Sequence, residues 1–455
     1  MHAGMKALAA AMAILPVSAG CGPDEGGTTK ATTGLDATGD TTGGTANPGT
    51  GTGPGSDSEG GTEPTGDGPT GDPVVDNHPV DILFVIDNSG SMGEEQQLLS
   101  ENLPAFLNVL DGYQADYRIA ITTTDSGNPR CPQAIYKSEG GQFVLSSCLD
   151  RIDQDEFKFG EDDFSSACTS RCTKRDADLT VLPTATEVDG VASARDWIES
   201  APGKSNIAGA SVLEALQCYL PQGVAGCGFE SHLESMYRAL TRAQDSTSPS
   251  NYGFLRDSAQ LAVIIVTDEA DCSYTPTQTD IFSTNKVFWN SPDAPAPTSA
   301  LCWRAGVECS GGPGTYSECH AQNYDANAGV TDSAEDAVLQ PISKYVKFVK
   351  EIEAQKQLMS PGRRVKVGLL AGVPKGYESF AAEIPYEDSA DSQLQANFGI
   401  GPGCVLDAGT AVPPVREREF AEAFVEPGKR NLYSICQQDY SAALKAIAED
   451  IRDGY

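Results

Sequence analysis

"VDILFVIDNSGSM", residues 80 to 92, carries five consecutive apolar residues from Ile82 to Ile86 and then breaks at Asp87 into small polar residues and a glycine. A run of this kind reads as a strand buried on both faces, the mark of a parallel sheet covered by helices. Its abrupt end on a carboxylate and two hydroxyls is what needs explaining. In open parallel sheets, ligands sit beyond the carboxyl ends of the strands, where successive connections diverge to opposite faces. Asp87 stands at such an end, and Ser89 and Ser91 follow at alternate positions on a glycine-assisted turn. Their three oxygens can converge on one point while a helix starting near Gly93 turns its N–H groups toward it. The same residues also make ordinary helix caps, and Glu94 and Glu95 suit the first turn without any ion. Alone, the stretch leaves cap and cation site open.

Outward from it, the chain past His78 alternates apolar runs with helical periods. Strands are expected at 81–87, 117–125, 261–268, 365–372 and 431–436. Helical spacing appears in Leu98, Leu103, Phe106 and Leu110, in Leu233, Met236, Tyr237 and Leu240, in Leu339, Ile342, Val346 and Val349, and in Leu444, Ile447, Ala448 and Ile451. Pro104 should kink the first helix or cost it a hydrogen bond. The fold class is α/β, a doubly wound and mostly parallel sheet flanked by helices. Two stretches break the alternation, about 126–200 and 272–335. The second is rich in Cys, Gly and Pro, and both read as disulfide-stapled insertions in one domain spanning 78–455. A third irregular stretch runs from Gly376 to about Arg430.

A second apolar strand, "LAVIIVTDEADCS", ends on Thr267 and Asp268. Two central strands ending in carboxylates at one edge repel and raise a pKa unless a cation lies between them. The bland reading makes Asp268 a cap, with Glu269 and Asp271 solvated. In "PGKSNIAGASVLEAL", Ser205 and Asn206 are read as preceding a helix marked by Ile207, Val212 and Leu216, which brings a further hydroxyl to a loop. As a plain N-cap, Ser205 is equally well explained.

Together these three pieces resemble the von Willebrand factor A domain and its metal-ion-dependent adhesion site. In that family an Asp-x-Ser-x-Ser loop, a Thr from a second loop and an Asp from a third surround a divalent cation, and a ligand carboxylate commonly completes the shell. The resemblance implies Asp87, Ser89 and Ser91 as the first loop, Ser205 in the place of the Thr, and Asp268 as the third. It departs at "TDEADCS", where the family commonly has Thr-Asp-Gly, and Glu269 stands next to the ion's open position. Two carboxylates and neutral hydroxyls leave a divalent ion with appetite for another anionic oxygen. So few carboxylates favour Mg²⁺ or Mn²⁺ over Ca²⁺. The implied partner is a protein or other ligand bearing a carboxylate.

Composition narrows the rest. The 455 residues hold 64 acidic and 31 basic side chains, a formal charge of -33, which repels phosphate backbones and anionic headgroups and argues against nucleic acid. Residues 1–20 read as a secretion signal, with Lys6, an apolar stretch from Ala7 to Val17 and small residues before Cys21, similar to the bacterial lipobox whose cysteine is lipidated. Residues 21–77 are mainly Gly, Thr, Pro, Ser, Asp and Glu, with too little apolar surface to fold. They read as a disordered tether whose reach is on the order of 40 Å. The expected location is the bacterial cell envelope, outer membrane or surface, with the membrane reached only through the anchor.

Of the 13 cysteines, setting Cys21 aside leaves twelve, an even number that in an exported chain predicts disulfides. Local candidates are Cys168 with Cys172, Cys218 with Cys227, and Cys309 with Cys319; structural zinc lacks paired Cys-x-x-Cys knuckles. Enzyme signatures are absent: no Gly-x-Ser-x-Gly elbow, no His-Glu-x-x-His, no P-loop. His232 and His320, the histidines inside the fold, read as structural or solvated. The acidic clusters at 150–156 and 160–164 lack EF-hand spacing and read as solvated faces. The expectation is therefore a non-enzymatic adhesion or ligand-binding protein. Its rivals are a disulfide-rich scaffold with a degenerate, ion-free site, and a metal-dependent hydrolase with Glu269 as base.

Overall fold

Alternation along the first strand decides the layering. In the computed structural model, which describes residues 78–131, 137–406 and 409–454, strand β1 (Pro79–Ile86) sends Ile82, Phe84 and Ile86 into one apolar core and Leu83 and Val85 into another on the opposite face. The predicted signal, Cys21 and the 21–77 tether lie outside the described residues. Six further strands join β1 in one sheet: β2 (Asp116–Thr123), β3 (Trp197–Ala201), β4 (Lys204–Ser205), β5 (Gln260–Val266), β6 (Lys366–Ala371) and β7 (Leu432–Ser434), in the order β7-β6-β5-β1-β2-β3-β4. Pairing is parallel from β7 through to β2 and antiparallel for β2–β3 and β3–β4.

Helices cover both faces. Helix α1 (Gly93–Gly112), α2 (Val212–Tyr219) and α6 (Ser441–Arg452) share the core of Ile82 and Phe84, whereas α3 (His232–Ala243), α4 (Ile342–Met359) and α5 (Val415–Glu422) share that of Leu83 and Val85. The chain is thus mixed α/β around a mostly parallel sheet. From β1 it moves outward on one side to β2, β3 and β4, then returns to lay β5, β6 and β7 on the other. The strand order therefore reverses between β1 and β5, which opens a crevice at their carboxyl ends.

Pro104 does not interrupt α1. It has no N–H to give to the Ser100 carbonyl four residues back, and the side-chain amide of Gln217 donates to that carbonyl instead, at 3.3 Å. The insertion expected at 126–200 also needs correction, since it contains the sheet strand β3, whose Trp197 and Ile198 are buried. The segment near 272–335 builds a small core of its own around Phe282, Trp289, Leu301 and Cys302.

All twelve remaining cysteines are paired, as Cys131–Cys227, Cys148–Cys168, Cys172–Cys218, Cys272–Cys302, Cys309–Cys319 and Cys404–Cys436. Of the local candidates, Cys309–Cys319 forms across a hairpin. Cys168–Cys172 and Cys218–Cys227 do not: Cys168 faces Cys148 on a neighbouring short helix, Cys172 faces Cys218 on α2, and Cys227 is left to tie its loop to Cys131. These bridges staple the segments that interrupt the alternation to one another and to the sheet's flanking elements.

At the opposite edge of the sheet, β1 carries a buried charge. The Asp81 carboxylate accepts from the Arg256 side chain at 2.8 Å and its backbone N–H at 2.7 Å, with the Lys356 ammonium at 3.4 Å. Burial pushes the Asp81 carboxyl up, but the Arg256, Lys356 and Arg118 charges outweigh burial and hold it below its ordinary value of 3.8. Asp81→Ala strands two buried cations, so urea unfolding should show a loss of about 3 to 5 kcal/mol at neutral pH. Because the folded value is depressed, this contribution is complete above the ordinary carboxylate range and disappears as pH falls through the lower folded value. Wild-type stability should decline there, and the variant's curve should lack that step.

Candidate metal centre

The reversal in strand order brings two sequence-distant carboxylates together. Ile86 and Val266 are register partners, and the Asp87 N–H continues the ladder to the Val266 carbonyl at 3.0 Å. The next residues therefore lie side by side, and the Thr267 hydroxyl donates to Asp87 Oδ2 at 2.7 Å. The other Asp87 oxygen accepts from the Ser89 N–H at 2.9 Å, which turns the chain and sets Ser89 Oγ 3.3 Å from Ser91 Oγ. Ser91 in turn stands near enough to the Asp268 carboxylate to favour its charged form. Asp87, Ser89, Ser91 and Asp268 thus share one locus, with Glu269 beside them.

Gln96, on the first turns of α1 and fully buried, locks this loop in place. Its amide donates to the carbonyls of Asp87 and Gly223 at 2.8 and 2.7 Å, and its oxygen accepts the N–H groups of Gln222 and Gly223 at 2.7 and 3.0 Å. The loop from 222 to 231 is thereby held against the first. Gly226 comes so close that a Cβ there would overlap Asn88, and its N–H donates to the Asn88 carbonyl at 2.8 Å.

Sequence reasoning missed what this second loop carries. Glu230 is 1% exposed, and its Oε1 has no hydrogen-bond partner. Two residues on, His232 is fully buried, with Nε2 2.7 Å from Thr267 Oγ1 and 3.6 Å from Asp87 Oδ2. Thr267 spends its proton on Asp87, so Nε2 carries the hydrogen between them. Glu417 Oε1 of α5 lies 3.1 Å from His232 Nδ1, as an ion pair without the alignment of a hydrogen bond. Burial opposes the imidazolium, yet the Asp87 and Glu417 carboxylates beside it raise its pKa to about 10. In the sequence, Glu230 and His232 show only as an acid and a polar residue at a helix start, the pattern of any cap.

Ser205 does not join them, which corrects the assignment made from its sequence neighbourhood. It sits in β4 at the sheet's far edge, lining a surface pocket with Asp111, Gln114 and Ala115. Those residues lie at or just past the C-terminal end of α1, whereas Asp87 precedes its N-terminal end, and a helix of this length spans about 30 Å. Residues 205–208 pair as strand instead of opening a helix, and α2 begins at Val212, capped by Ser211 and Glu214. The Ser205 hydroxyl is used locally, on the Ile207 carbonyl at 3.2 Å.

Electrostatically the locus is overloaded with acid. Burial, then the Asp87, Glu95 and Glu269 charges, push Asp268 well above its ordinary value. Burial, then Glu269 and Asp87, do the same to Glu230. Glu269 and Glu95 each rise to about 7, through burial and the charges around them. Asp268 Oδ1 and Glu95 Oε2 join Glu230 Oε1 as buried oxygens without a hydrogen-bond donor. The donor set of carboxylates and hydroxyls suits a hard divalent cation. Among the described residues the one trio of His, Cys, Asp or Glu ligand atoms within 4.8 Å of one another is Cys148, Cys168 and Cys172, all consumed in disulfides. The carboxylates here are spaced more widely, with hydroxyls between them.

The interrupting segments roof the locus. A Cβ on Gly90 would lie 2.6 Å from the Phe159 ring, and one on Gly93 would overlap Phe164, so this hairpin region packs directly on the first loop. From the other side, Ser299 bonds the Gly228 carbonyl at 3.2 Å and meets the Glu269 carboxylate. Ser91 and Glu94 stay exposed, and Glu95 and Glu269 are half-buried, which leaves a narrow acidic mouth.

No family model matches this sequence, and no curated protein matches it. Among solved structures it is similar to the pilus adhesin SpaC from Lactobacillus rhamnosus GG, with 12% identity and a TM-score of 0.31 over 83% of this chain. The open conformation of the same adhesin gives 13% and 0.30. The chain spans 30% of the length of those structures. At so low a TM-score the likeness carries no argument about fold or role.

The clamp can be tested alone. Gln96→Met keeps the volume and removes four hydrogen bonds, leaving buried N–H and C=O groups bare at about 1 to 3 kcal/mol each before relaxation. The expected result is a clear drop in the urea midpoint, with faster hydrogen exchange at the Gly223 amide.

Proposed function

We propose that Asp87, Ser89, Ser91 and Asp268 hold a divalent cation in the manner of a metal-ion-dependent adhesion site, on a doubly wound von Willebrand factor A-like domain, and that the protein is a cation-dependent binder. The observation that carries this reading is the pair of carboxylates ending adjacent strands β1 and β5, one with a buried oxygen lacking any donor. Like charges so buried either keep a proton or take a cation. When bound, the ion supplies a Lewis-acidic point that an oxygen of a partner's Asp or Glu can meet at the mouth beside Ser91. The chain's own contribution is to fix Asp87 through Thr267 and the Ser89 N–H, and to fix the loop through Gln96.

A non-catalytic role is supported by His232. Both of its ring nitrogens are engaged inside the buried set, toward Thr267 and Glu417, so it has no route to a substrate as general base. Export and anchoring through Cys21 remain part of the proposal. Six disulfides suit an oxidising compartment, and no helix among the described residues is long and apolar enough to cross a membrane.

Thermal melts in EDTA and in Mg²⁺, Mn²⁺ or Ca²⁺ test the reading. A cation at a hundredfold excess over its Kd should stabilise the wild type by about 2.7 kcal/mol, and Asp87→Ala should melt at the same temperature with or without it. A wild type indifferent to every cation would leave the ion-free scaffold as the better account. Turnover of esters or phosphoesters that vanished in Asp87→Ala would favour the hydrolase.

A further inference from the structure

The loop that faces the first one brings a buried carboxylate to the edge of the sheet that Ser205 does not reach. Glu230 ends the loop that Gln96 and Asn88 hold against the first loop. Its backbone is fixed from two sides: its carbonyl accepts the Cys272 N–H at 2.7 Å, and the following Ser231 N–H donates to the Thr124 carbonyl at 3.0 Å, just past the end of β2. The side chain therefore starts from the same carboxyl edge of the sheet, where the Glu269 and Asp87 charges both act on it. It is 1% exposed and keeps a bare oxygen, and its charged neighbours there are themselves acids. A buried carboxylate without a counter-charge is among the costliest groups a fold can hold.

We propose that Glu230 is a third carboxylate of the cation site, directly or through one water, and that it turns the site's preference from Mg²⁺ to Ca²⁺. This rests on the cation-site reading above and deepens it. Mg²⁺ demands a tight octahedron with bonds near 2.1 Å, whereas Ca²⁺ takes about six to eight oxygens at about 2.3 to 2.6 Å in flexible geometry. With Glu230 there are three carboxylates at this edge of the sheet, and the hydroxyls of Ser89 and Ser91 lie beside Asp87. More oxygens than a tight octahedron uses suit the larger ion. With a third anion from its own chain, the ion has less demand for a partner's carboxylate, and affinity for a partner rests more on the surfaces around the mouth.

Isothermal titration of the full chain with Ca²⁺ and Mg²⁺ alone, on the wild type and Glu230→Gln, decides it. The wild type should bind Ca²⁺ more tightly than Mg²⁺, and Glu230→Gln should weaken Ca²⁺ by about tenfold or more while Mg²⁺ changes less. In EDTA the variant should melt above the wild type, because one uncompensated buried carboxylate is gone. Should Glu230→Gln fail to fold, Glu230→Asp keeps the charge and shortens its reach, and should show intermediate Ca²⁺ affinity. Equal Ca²⁺ affinity in wild type and variant overturns the role of Glu230 alone, as does a wild type that prefers Mg²⁺. A wild type that binds no cation overturns the parent reading and this one with it.

Discussion

The constraint on which this architecture turns is the burial of acid at the carboxyl ends of two neighbouring parallel strands. β1 and β5 are adjacent because the chain reverses its direction of travel across the sheet between them, and their last ladder partners deliver Asp87 and Thr267-Asp268 to one point. Each strand ends in a carboxylate that its own apolar run makes inaccessible to bulk water. Glu230 and Glu269 add to the crowding. A fold tolerates such crowding when something positive or a proton is present to relieve it, and the local hydroxyls provide neutral oxygens around the same point.

Much of the surrounding structure holds the crowded point rigid. Gln96 spans two loops with four hydrogen bonds, and Thr267 binds Asp87 while accepting from both His232 and the Glu269 N–H. The segments that interrupt the alternating pattern are stapled by disulfides and lean over the same edge, Phe159 and Phe164 from one and Ser299 from another. At the far edge, Asp81 shows the opposite solution to the same problem: there a buried carboxylate is given Arg256 and Lys356. The contrast within one strand is informative: two cations face the single carboxylate at one end of β1, whereas at the other His232 stands against Asp87, Asp268, Glu230 and Glu269.

The sheet was legible because buried parallel strands are continuous apolar runs, and the five expected at 81–87, 117–125, 261–268, 365–372 and 431–436 match observed strands to within a few residues. β3 was hidden because its "WIESA" is short, half polar and an antiparallel neighbour near the edge, so it lacks that signature. Ser205 misled for a physical reason: a hydroxyl followed by apolar residues resembles a cap, but the paired strands at 204–208 postpone the helix to Ser211. The reverse error hid Glu230, since an acid near a helix start is the commonest pattern on a protein surface, and nothing local says that this start is buried; His232, read as structural or solvated, is structural. Cysteine parity gave the number of bridges but not their partners, which depend on which helices the tertiary fold sets face to face.

The central claim is that the acid at the ends of β1 and β5 is there for a cation. Crystals grown in Mn²⁺ and measured at an energy where manganese scatters anomalously address it without reference to any partner or activity. The account predicts one anomalous peak within bonding distance, about 2.2 Å, of Asp87, Asp268 or the hydroxyls between them. Peaks found only at exposed acidic clusters such as 150–156, with none at this edge of the sheet, would contradict it.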